Sequence, residues 1–417
     1  MRDTATAGGK KAAAFRKRLC VATESSGVSR RRVFGSLLGL IFVINLARVV
    51  FAPLIEPIRA ATGASDATLG LLATMVWAGS AVPRLPTGAL LTRVDRPRVI
   101  LASGVVLTAG TAFTALAADP HLLLAGAFVM GTASGVYLVA ANPLISELYR
   151  ESPGRALGQH GVASQLAAVA APGIVTAALV VGNWRTALQA MAVAAALTTG
   201  VFTVVAYRAD LPDAGRSDTD FLGAIRAQWP IVVTAVATLG LTTMVWNGVF
   251  NFYVTYLGTI GVGPRAGRTL LQVAFAAGVP AFYVSGRLID RLPAVPYMLA
   301  ILAGFTGCIL LLPAVRGFWA LATLSAGMGY IIHSIFPAVD TYLLGSLPDR
   351  HRASAYAAYG AGMMLIQAPG SFVVGLLRDA GVGFATIFEW MGGGLVALLA
   401  VLLLLHADGR LPATARA

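Results

Sequence analysis

The sequence has few charged residues for its length. Only 12% of its 417 residues are Asp, Glu, Lys or Arg, whereas 57% are hydrophobic and the mean hydropathy is +0.76. In water-soluble domains roughly a quarter of the residues are charged, so this composition excludes a soluble surface over most of the chain. The charges fall between long apolar runs, which is the pattern of a protein whose solvent is a lipid bilayer.

Cysteine is nearly absent as well. Cys20 and Cys308 are the only two, so the sequence excludes a disulfide framework and a thiolate metal site. It also lacks a phosphate-binding loop, a His/Cys metal cluster and a nucleophile motif. We therefore expect no enzyme, no catalytic residue, no metal and no cofactor.

Acidic residues are outnumbered by basic ones, and the excess lies at one end. The chain has 31 Lys and Arg against 18 Asp and Glu, and nine of the 31 lie in a tail at 1–32. A basic tail ahead of a first apolar run is typical of a cytoplasmic anchor at anionic lipids. We expect contact with a bilayer and no binding of nucleic acid. The tail is too long and too polar for a cleaved signal peptide.

Twelve apolar stretches are long enough to cross a bilayer as helices. Leaving out the tail, 14 Lys and Arg lie in the connections on the side of the N-terminus and six lie on the other side. This asymmetry predicts a multi-pass protein of the cell membrane with both termini in the cytoplasm. The predicted spans are 33–55, 67–91, 98–118, 122–146, 157–181, 185–207, 229–257, 267–287, 295–314, 317–344, 353–377 and 383–406.

The longest polar stretch between spans, 208–228, divides them into six and six. We predict an all-α membrane fold in which this stretch is a cytoplasmic linker. The linker then joins an N-terminal bundle at 33–207 to a C-terminal bundle at 229–406, followed by a cytoplasmic tail at 407–417.

The second half repeats landmarks of the first half at an offset near 197 residues. An offset of six spans preserves orientation, so the halves are predicted to be parallel repeats related by an axis along the membrane normal. Such halves are typical of a secondary transporter that rocks them about a solute site near the midplane. The matching landmarks are 88–93 with 286–291, Pro143 with Pro337, 155–156 with 352–353, and 172–173 with 369–370.

The connections after the second and eighth spans carry a Gly-x-Leu-x-Asp-Arg pattern, in which Thr92 replaces the first acid. With this pattern, residues 33–406 resemble the major facilitator superfamily, and the resemblance implies its fold of two parallel six-helix repeats. It also implies a gate on the cytoplasmic side. The residues that would form this gate are Gly88, Arg93, Gly286, Asp290 and Arg291.

Two arginines, Arg48 and Arg84, fall inside predicted spans, where an uncompensated charge costs at least roughly 2.5–3.5 kcal/mol. The stretch from Asn45 to Arg48 is similar to the Asn-x-x-Asp-Arg of organic-anion transporters, and the stretch from Arg84 to Gly88 resembles the Arg-x-Pro-x-Gly of nitrate and nitrite carriers. These resemblances imply that Asn45, Arg48 and Arg84 bind an anion. The alternative is that each arginine is neutralised within its bundle or extends to an interface.

Further polar residues of the C-terminal half are candidates for the same cavity. We predict that the seventh and eleventh spans contribute substrate ligands and that three residues take part in proton coupling or gating. Alternatively, these side chains bond to neighbouring helices, contact water or belong to the gate. The predicted ligands are Trp246, Asn247, Asn251, Tyr256, Tyr359 and Gln367, with Tyr356 beside them, and the coupling residues are His333, Asp340 and Glu389.

Three functions compete at this point. The first is secondary transport of a small solute, for which we expect an anion, with proton coupling left open. The second is efflux of multiple drugs or hydrophobic compounds, which would depend on Asp340 or Glu389 and not on arginine. The third is a receptor or scaffold that keeps the fold without transport. We expect a monomer.

The charge asymmetry predicts where reporters fused to the chain become active. Green fluorescent protein fused after Ala417 should fluoresce, and alkaline phosphatase fused there should be inactive, because that end is expected in the cytoplasm. Fusions after Arg316, in the connection after the ninth span, should give the opposite pattern in the same bacterial host. Exchanged signals would contradict the predicted orientation.

Overall fold

The computed structural model describes residues 30–209, 211, 221–289, 291–347 and 349–411, and every regular element in these residues is helical. A short 3₁₀ turn, Leu312–Ala314, follows α11. The α-helices, in chain order, are α1 Arg30–Val49, α2 Phe51–Thr62, α3 Asp66–Ala81, α4 Arg84–Leu90, α5 Arg96–Leu116, α6 Pro120–Leu148, α7 Pro153–Val181, α8 Trp184–Tyr207, α9 Phe221–Thr259, α10 Pro264–Ile289, α11 Ala294–Leu311, α12 Phe318–Ser346, α13 Asp349–Gln367, α14 Gly370–Asp379 and α15 Phe384–Ala407.

These helices form the predicted spans. Among the described residues, eleven helical stretches are by themselves long and apolar enough to cross a membrane. The second span is not one of the eleven because a break at Val82 and Pro83 divides it into α3 and α4. Joined end to end, these two helices provide the twelfth span, which confirms the predicted fold class.

Three spans are broken at prolines. The first span breaks between α1 and α2, because Pro53 has no N–H to donate to the carbonyl of Val49 four residues earlier. Pro83 stands at the break between α3 and α4, and Pro369 at the break between α13 and α14. Arg48 is the last residue but one of α1, and Arg84 is the first residue of α4, so both predicted membrane arginines lie at breaks.

Two boundaries differ from the prediction by more than four residues. The first span continues to Thr62 instead of 55, because the helix resumes after the break, passes through Pro57 and ends at Gly63 with a left-handed φ of 66°. Helix α9 begins at Phe221, inside the predicted linker, and is kinked at Gln228. The remaining linker residues 210 and 212–220, like the tail residues 1–29, lie outside the described part of the chain.

The two halves pack corresponding helices in the same way. A Cβ added at Gly131 of α6 would collide with the carbonyl oxygen of Val76 on α3, and one added at Gly329 of α12 would collide with that of Ala274 on α10. Each residue of the second pair lies 198 positions after its counterpart. The repeat seen in the sequence therefore corresponds to a repeated backbone contact between the second and fourth spans of each half.

The described chain begins and ends at the same face of the bundle, which we call the terminal face, and the opposite face is the distal face. Each span connects the two faces. At the terminal face, Arg30 donates from Nη1 to the carbonyl of Leu148 over 3.5 Å. At the distal face, Arg185 donates from Nη2 to the carbonyl of Ala117 over 2.8 Å.

The two bundles are joined in the distal half of their interface. Helix α3 packs against α14 so closely that a Cβ added at Gly70 would collide with the carbonyl oxygen of Ser371. The backbone N–H of Phe372 donates to Thr74 Oγ1 over 3.2 Å. On the other side of the interface, Arg268 Nε of α10 donates to Thr176 Oγ1 of α7 over 2.9 Å.

On the side of α7 and α10, the bundles separate toward the terminal face. Gln165 on α7 is buried and donates to the carbonyl of Phe275 on α10 over 2.9 Å. Gly161 and Gly158 share its helix face, one and two turns nearer the terminal face, and both are exposed with open space around an added Cβ. A cleft between the bundles therefore opens at the terminal face, and Gln165 lies at its closed end.

The close contact at Gly329 predicts the effect of adding one methyl group. Gly329→Ala should destabilise the protein by roughly 1–3 kcal/mol, because the new Cβ forces backbone against backbone. Gly327→Ala, two residues earlier on α12, has nothing within 4 Å and should be neutral or slightly stabilising. Thermal unfolding of the purified variants measures both effects. Equal melting temperatures would contradict the contact.

Candidate anion-binding site

Two arginines of the N-terminal bundle face the cleft at the helix breaks. The guanidinium of Arg48 lies over the ring of Trp77, with Cζ 4.2 Å from the ring centroid. Arg84 donates from Nε to the carbonyl of Ser80 over 3.2 Å. Their positive charges are close enough to repel each other. The N-terminal wall of the cleft therefore carries two adjacent positive charges.

Helices α12 and α13 of the C-terminal bundle form the opposite wall. A Cβ added at Gly360 would lie 3.5 Å from Arg84 Nη1, which places this arginine against α13. The hydroxyl of Tyr356 is hydrogen bonded to the carboxylate of Asp340 on α12 and interacts electrostatically with Arg84. The rings of Tyr356 and Tyr359 are 5.7 Å apart. The second wall thus brings two hydroxyls and one carboxylate to the arginine pair.

Three polar groups in this region are buried and have no hydrogen-bond partner among the described residues: Arg48 Nε, Trp77 Nε1 and Tyr359 Oη. A buried polar group without a partner costs about 1–3 kcal/mol, and such groups are rare in folded proteins. All three can donate a hydrogen bond. The arrangement therefore suits a ligand that supplies acceptor oxygens and negative charge.

The closed end of the cleft is a hydrogen-bonded contact between the bundles. His333 Nδ1 lies 2.7 Å from the carbonyl of Gly329, so Nδ1 is the donor and Nε2 is free to accept. Gln165 Nε2 lies 3.2 Å from that Nε2 and also donates to the carbonyl of Phe275. Both nitrogens of the His333 ring are thereby occupied.

An apolar strip follows His333 toward the terminal face. The rings of Phe282 on α10 and Phe336 on α12 are stacked with centroids 6.1 Å apart, and both also contact the His333 ring. Both phenylalanines are only half-buried. The cleft therefore combines a charged region at the arginines with an aromatic region in the opposite bundle.

Several predicted ligands have helix partners instead. Asn45 donates to the carbonyl of Ser164 over 2.7 Å within the N-terminal bundle. Asn247 donates to the backbone carbonyl of Gln367 over 3.1 Å, and Asn251 donates to Ser371 Oγ over 2.9 Å. These bonds tie α9 to the eleventh span, so the shared helix face of the two asparagines serves helix packing.

The aromatic candidates of the seventh span lie in the core of the C-terminal bundle. Trp246 is buried between Phe250, Phe275 and Phe305, with ring centroids 5.5–6.4 Å away. Tyr256 donates to the carbonyl of Leu312 over 2.9 Å. Neither side chain reaches the arginine pair through a described contact.

The coupling and gating candidates are dispersed. Glu389 is exposed on α15, away from the described site contacts. Gly88 and Gly286 lie near the terminal face, where Arg93 and Arg291 are exposed. Asp290 lies outside the described residues. Among the described members of this group, Asp340 and His333 alone face the cleft. In the described part of the chain, no three His, Cys, Asp or Glu side chains come together as a metal site.

The structure adds residues that were not predicted from the sequence. The ring of Trp77 lies under the Arg48 guanidinium, and Gln165 forms the hydrogen-bonded contact at the closed end of the cleft. Each had a signal: Trp77 lies seven residues before Arg84, two turns along the helical span, and Gln165 is a polar side chain in a largely apolar span.

Comparisons with known proteins agree with this architecture. The chain is 34% identical over 135 residues to an uncharacterized MFS-type transporter of Yersinia pestis, and the match covers 32% of the chain and 35% of that relative. It is 28% identical over 124 residues to the gentisate transporter of Corynebacterium glutamicum, covering 29% of the chain and 28% of the relative. The matches thus span about a third of these relatives' length.

Solved structures share the fold over nearly the whole chain. A bacterial homolog of the human lysosomal transporter Spinster, inward-facing and unoccupied, superposes with a TM-score of 0.69 at 17% identity, covering 90% of this chain and 92% of that one. Its occupied form gives a TM-score of 0.66 at 19% identity, with the same coverage. The profile of the Major Facilitator Superfamily matches residues 37–370. The chain belongs to this superfamily of membrane transporters.

Proposed function

We propose that this transporter moves a small organic anion by alternating access, with the solute held between the bundles at Arg48 and Arg84. The observation that carries the proposal is the buried, unpartnered Nε of Arg48 beside a second arginine in an open cleft. Charge-assisted hydrogen bonds to an anion are roughly twice as strong as neutral ones. A bound carboxylate would satisfy these donors and relieve the repulsion between the arginines.

The other wall of the cleft supports an aromatic carboxylate as the first solute to test. Phe282 and Phe336 offer half-buried ring faces, and Tyr359 offers an unpartnered hydroxyl. Aromatic pairs contribute about 0.5–1.5 kcal/mol beyond their buried area. The relative from Corynebacterium glutamicum is a gentisate transporter, and gentisate is an aromatic carboxylate. Its name supports the choice of this probe.

Asp340 is the group we propose for proton coupling. The groups that face it are Tyr356, Tyr359 and, through Tyr356, Arg84. An ionised Asp340 would repel an anion at the arginine pair, whereas a protonated one would not. Binding of anion and binding of proton would then favour each other. His333 and Glu389 are weaker candidates, because both ring nitrogens of the first are occupied and the second is exposed.

Efflux of hydrophobic compounds is the second candidate. The half-buried Phe282 and Phe336 favour it, since a hydrophobic compound could bind against these rings. That function would need Asp340 but would not need Arg48. Removing the charge of Arg48 therefore distinguishes the two functions, because only anion transport would need it.

We propose that the terminal face is cytoplasmic, in a cell membrane, and that the protein acts as a monomer. The excess of Lys and Arg in the connections of this face supports the orientation. With that orientation, the cleft opens to the cytoplasm and the closed distal half faces outward.

Removing the positive charge of Arg48 should strongly reduce anion transport. Arg48→Gln should reduce uptake of gentisate into proteoliposomes at least about tenfold, because a hydrogen bond to a charged group contributes about 1.5–3 kcal/mol. Arg185→Gln is the matched control. Arg185 also lies over a tryptophan at 4.2 Å, that of Trp184, but at the distal face, so uptake should persist.

Both variants should match the wild type in elution from a sizing column and in thermal unfolding. Unchanged uptake by Arg48→Gln would overturn the proposed site. A wild-type protein that takes up none of gentisate, benzoate, lactate and nitrate would overturn the anion proposal and leave the efflux candidate.

Neutralising Asp340 should separate transport from the proton gradient. Asp340→Asn keeps the side-chain shape, so exchange of labelled for unlabelled gentisate across the membrane should persist. Accumulation of gentisate driven by a pH gradient should fall to the level without a gradient. Driven accumulation that persists would show that Asp340 is not the coupling group. Loss of exchange as well would make it a binding residue instead.

A further inference from the structure

One carboxylate of the C-terminal bundle caps a helix of the N-terminal bundle at the distal face. Asp379, the last residue of α14, accepts from the backbone N–H of Asp66 at Oδ1 over 2.9 Å and from that of Ala67 at Oδ2 over 3.1 Å. These two N–H groups belong to the first turn of α3, where helix N–H groups have no partner within the helix. The partial positive charge of a helix N-terminus favours a carboxylate there.

Charged side chains surround this cap. The carboxylate of Asp66 forms an ion pair with Arg59 of its own bundle and faces Arg378 Nε of the other bundle at 3.7 Å. Thr255 of α9 donates to Glu56 of α2 over 2.5 Å. Arg378 is in turn held by α14 and α15, because it donates to the carbonyl of Val382 over 2.9 Å and lies over the ring of Phe384. The cap is thus part of a network that joins both bundles.

The surrounding backbones touch at the same place. A Cβ added at Gly375 of α14 would collide with the carbonyl oxygen of Asp66. This backbone contact closes the distal face without involving any charged group. It contributes dispersion over short distances, of which about a quarter to a half is lost once the helices separate by about 0.5–1 Å. The Asp379 cap differs, because it offers paired acceptors to donors that become solvent-exposed when the face opens.

We propose that Asp379 is the positioning residue that keeps the distal face closed, and that its release from α3 is a step of each transport cycle. The inference rests on the alternating-access cycle proposed above. Loss of the cap should shift the population toward a distal-open state, in which the terminal cleft closes. A purely structural role would instead loosen the protein at both faces.

Two cysteine reporters distinguish these outcomes, each in a background in which Cys20 and Cys308 are replaced by Ser. Thr74→Cys lies on α3 two turns beyond Asp66, buried against α14, and should react only when the distal face opens. Gly161→Cys lies in the terminal cleft with open space around its Cβ and should react in the present conformation. The measurement is the rate of N-ethylmaleimide labelling of purified protein in lipid nanodiscs.

Asp379→Ala should increase labelling of Thr74→Cys at least about threefold, the effect of losing a helix cap, and should decrease labelling of Gly161→Cys. Asp379→Asn, which keeps one acceptor, should give a smaller change in the same directions. Asp119→Ala is the matched control. Asp119 caps α6 at the same face, accepting from His121 and Leu122 over 2.8 and 3.0 Å within one bundle, so both rates should stay unchanged.

Gly375→Ala is a second test, because its added Cβ would push α3 and α14 apart without changing any charge. If Gly375→Ala increases labelling of Thr74→Cys and Asp379→Ala does not, the proposed role of Asp379 is overturned, while the proposed alternating-access cycle is not. If neither variant exposes it, the distal face does not open and both proposals fail. Faster labelling at both reporters in Asp379→Ala would show general loosening and would also overturn the proposal.

Discussion

A guanidinium group in hydrocarbon costs at least roughly 2.5–3.5 kcal/mol, and two such groups lie within spans of the N-terminal bundle. The fold keeps both of them away from lipid. Arg48 lies over the indole of Trp77, and Arg84 reaches a carbonyl of its own span and then α13 of the other bundle. Neither has a carboxylate as a direct partner among the described ion pairs, so no described acidic side chain neutralises the charge directly, as the proposed anion site requires.

The proline breaks connect this constraint to the architecture. At Val50 and at Val82–Pro83 the helices α1 and α3 end inside the bundle, and each arginine lies within two residues of one of these breaks. The distal half is closed differently. There, glycines such as Gly70 allow backbones to touch, and the buried Asp66 forms an ion pair with Arg59. The N-terminal bundle thus has two arginines at its helix breaks, whereas the distal half closes through glycine contacts and a network of carboxylates and arginines.

Part of the site was predictable from residue type and part was not. Arg48 and Arg84 stood out because a charge within an apolar run is rare, and the structure brings them together in the cleft. Asn247 and Asn251 looked equally exceptional, yet they bond to Gln367 and Ser371 of the eleventh span, because the rotation of α9 turns that face into its own bundle. Trp77 was not predicted, since aromatic residues are common in spans and its contact with an arginine is visible only in the tertiary structure.

The order of apolar and polar stretches alone determined the spans, their division into six and six and the parallel repeat, because the thickness of a bilayer sets the length of each helix. The equivalent contacts at Gly131 and Gly329 follow from that repeat. Only the tertiary structure decided which bundle face is sealed and which polar side chains have partners. Those outcomes depend on the rotation of each helix about its axis and on contacts such as that of Asp379 with α3, between residues more than 300 positions apart in the chain, and hydropathy carries no information about either.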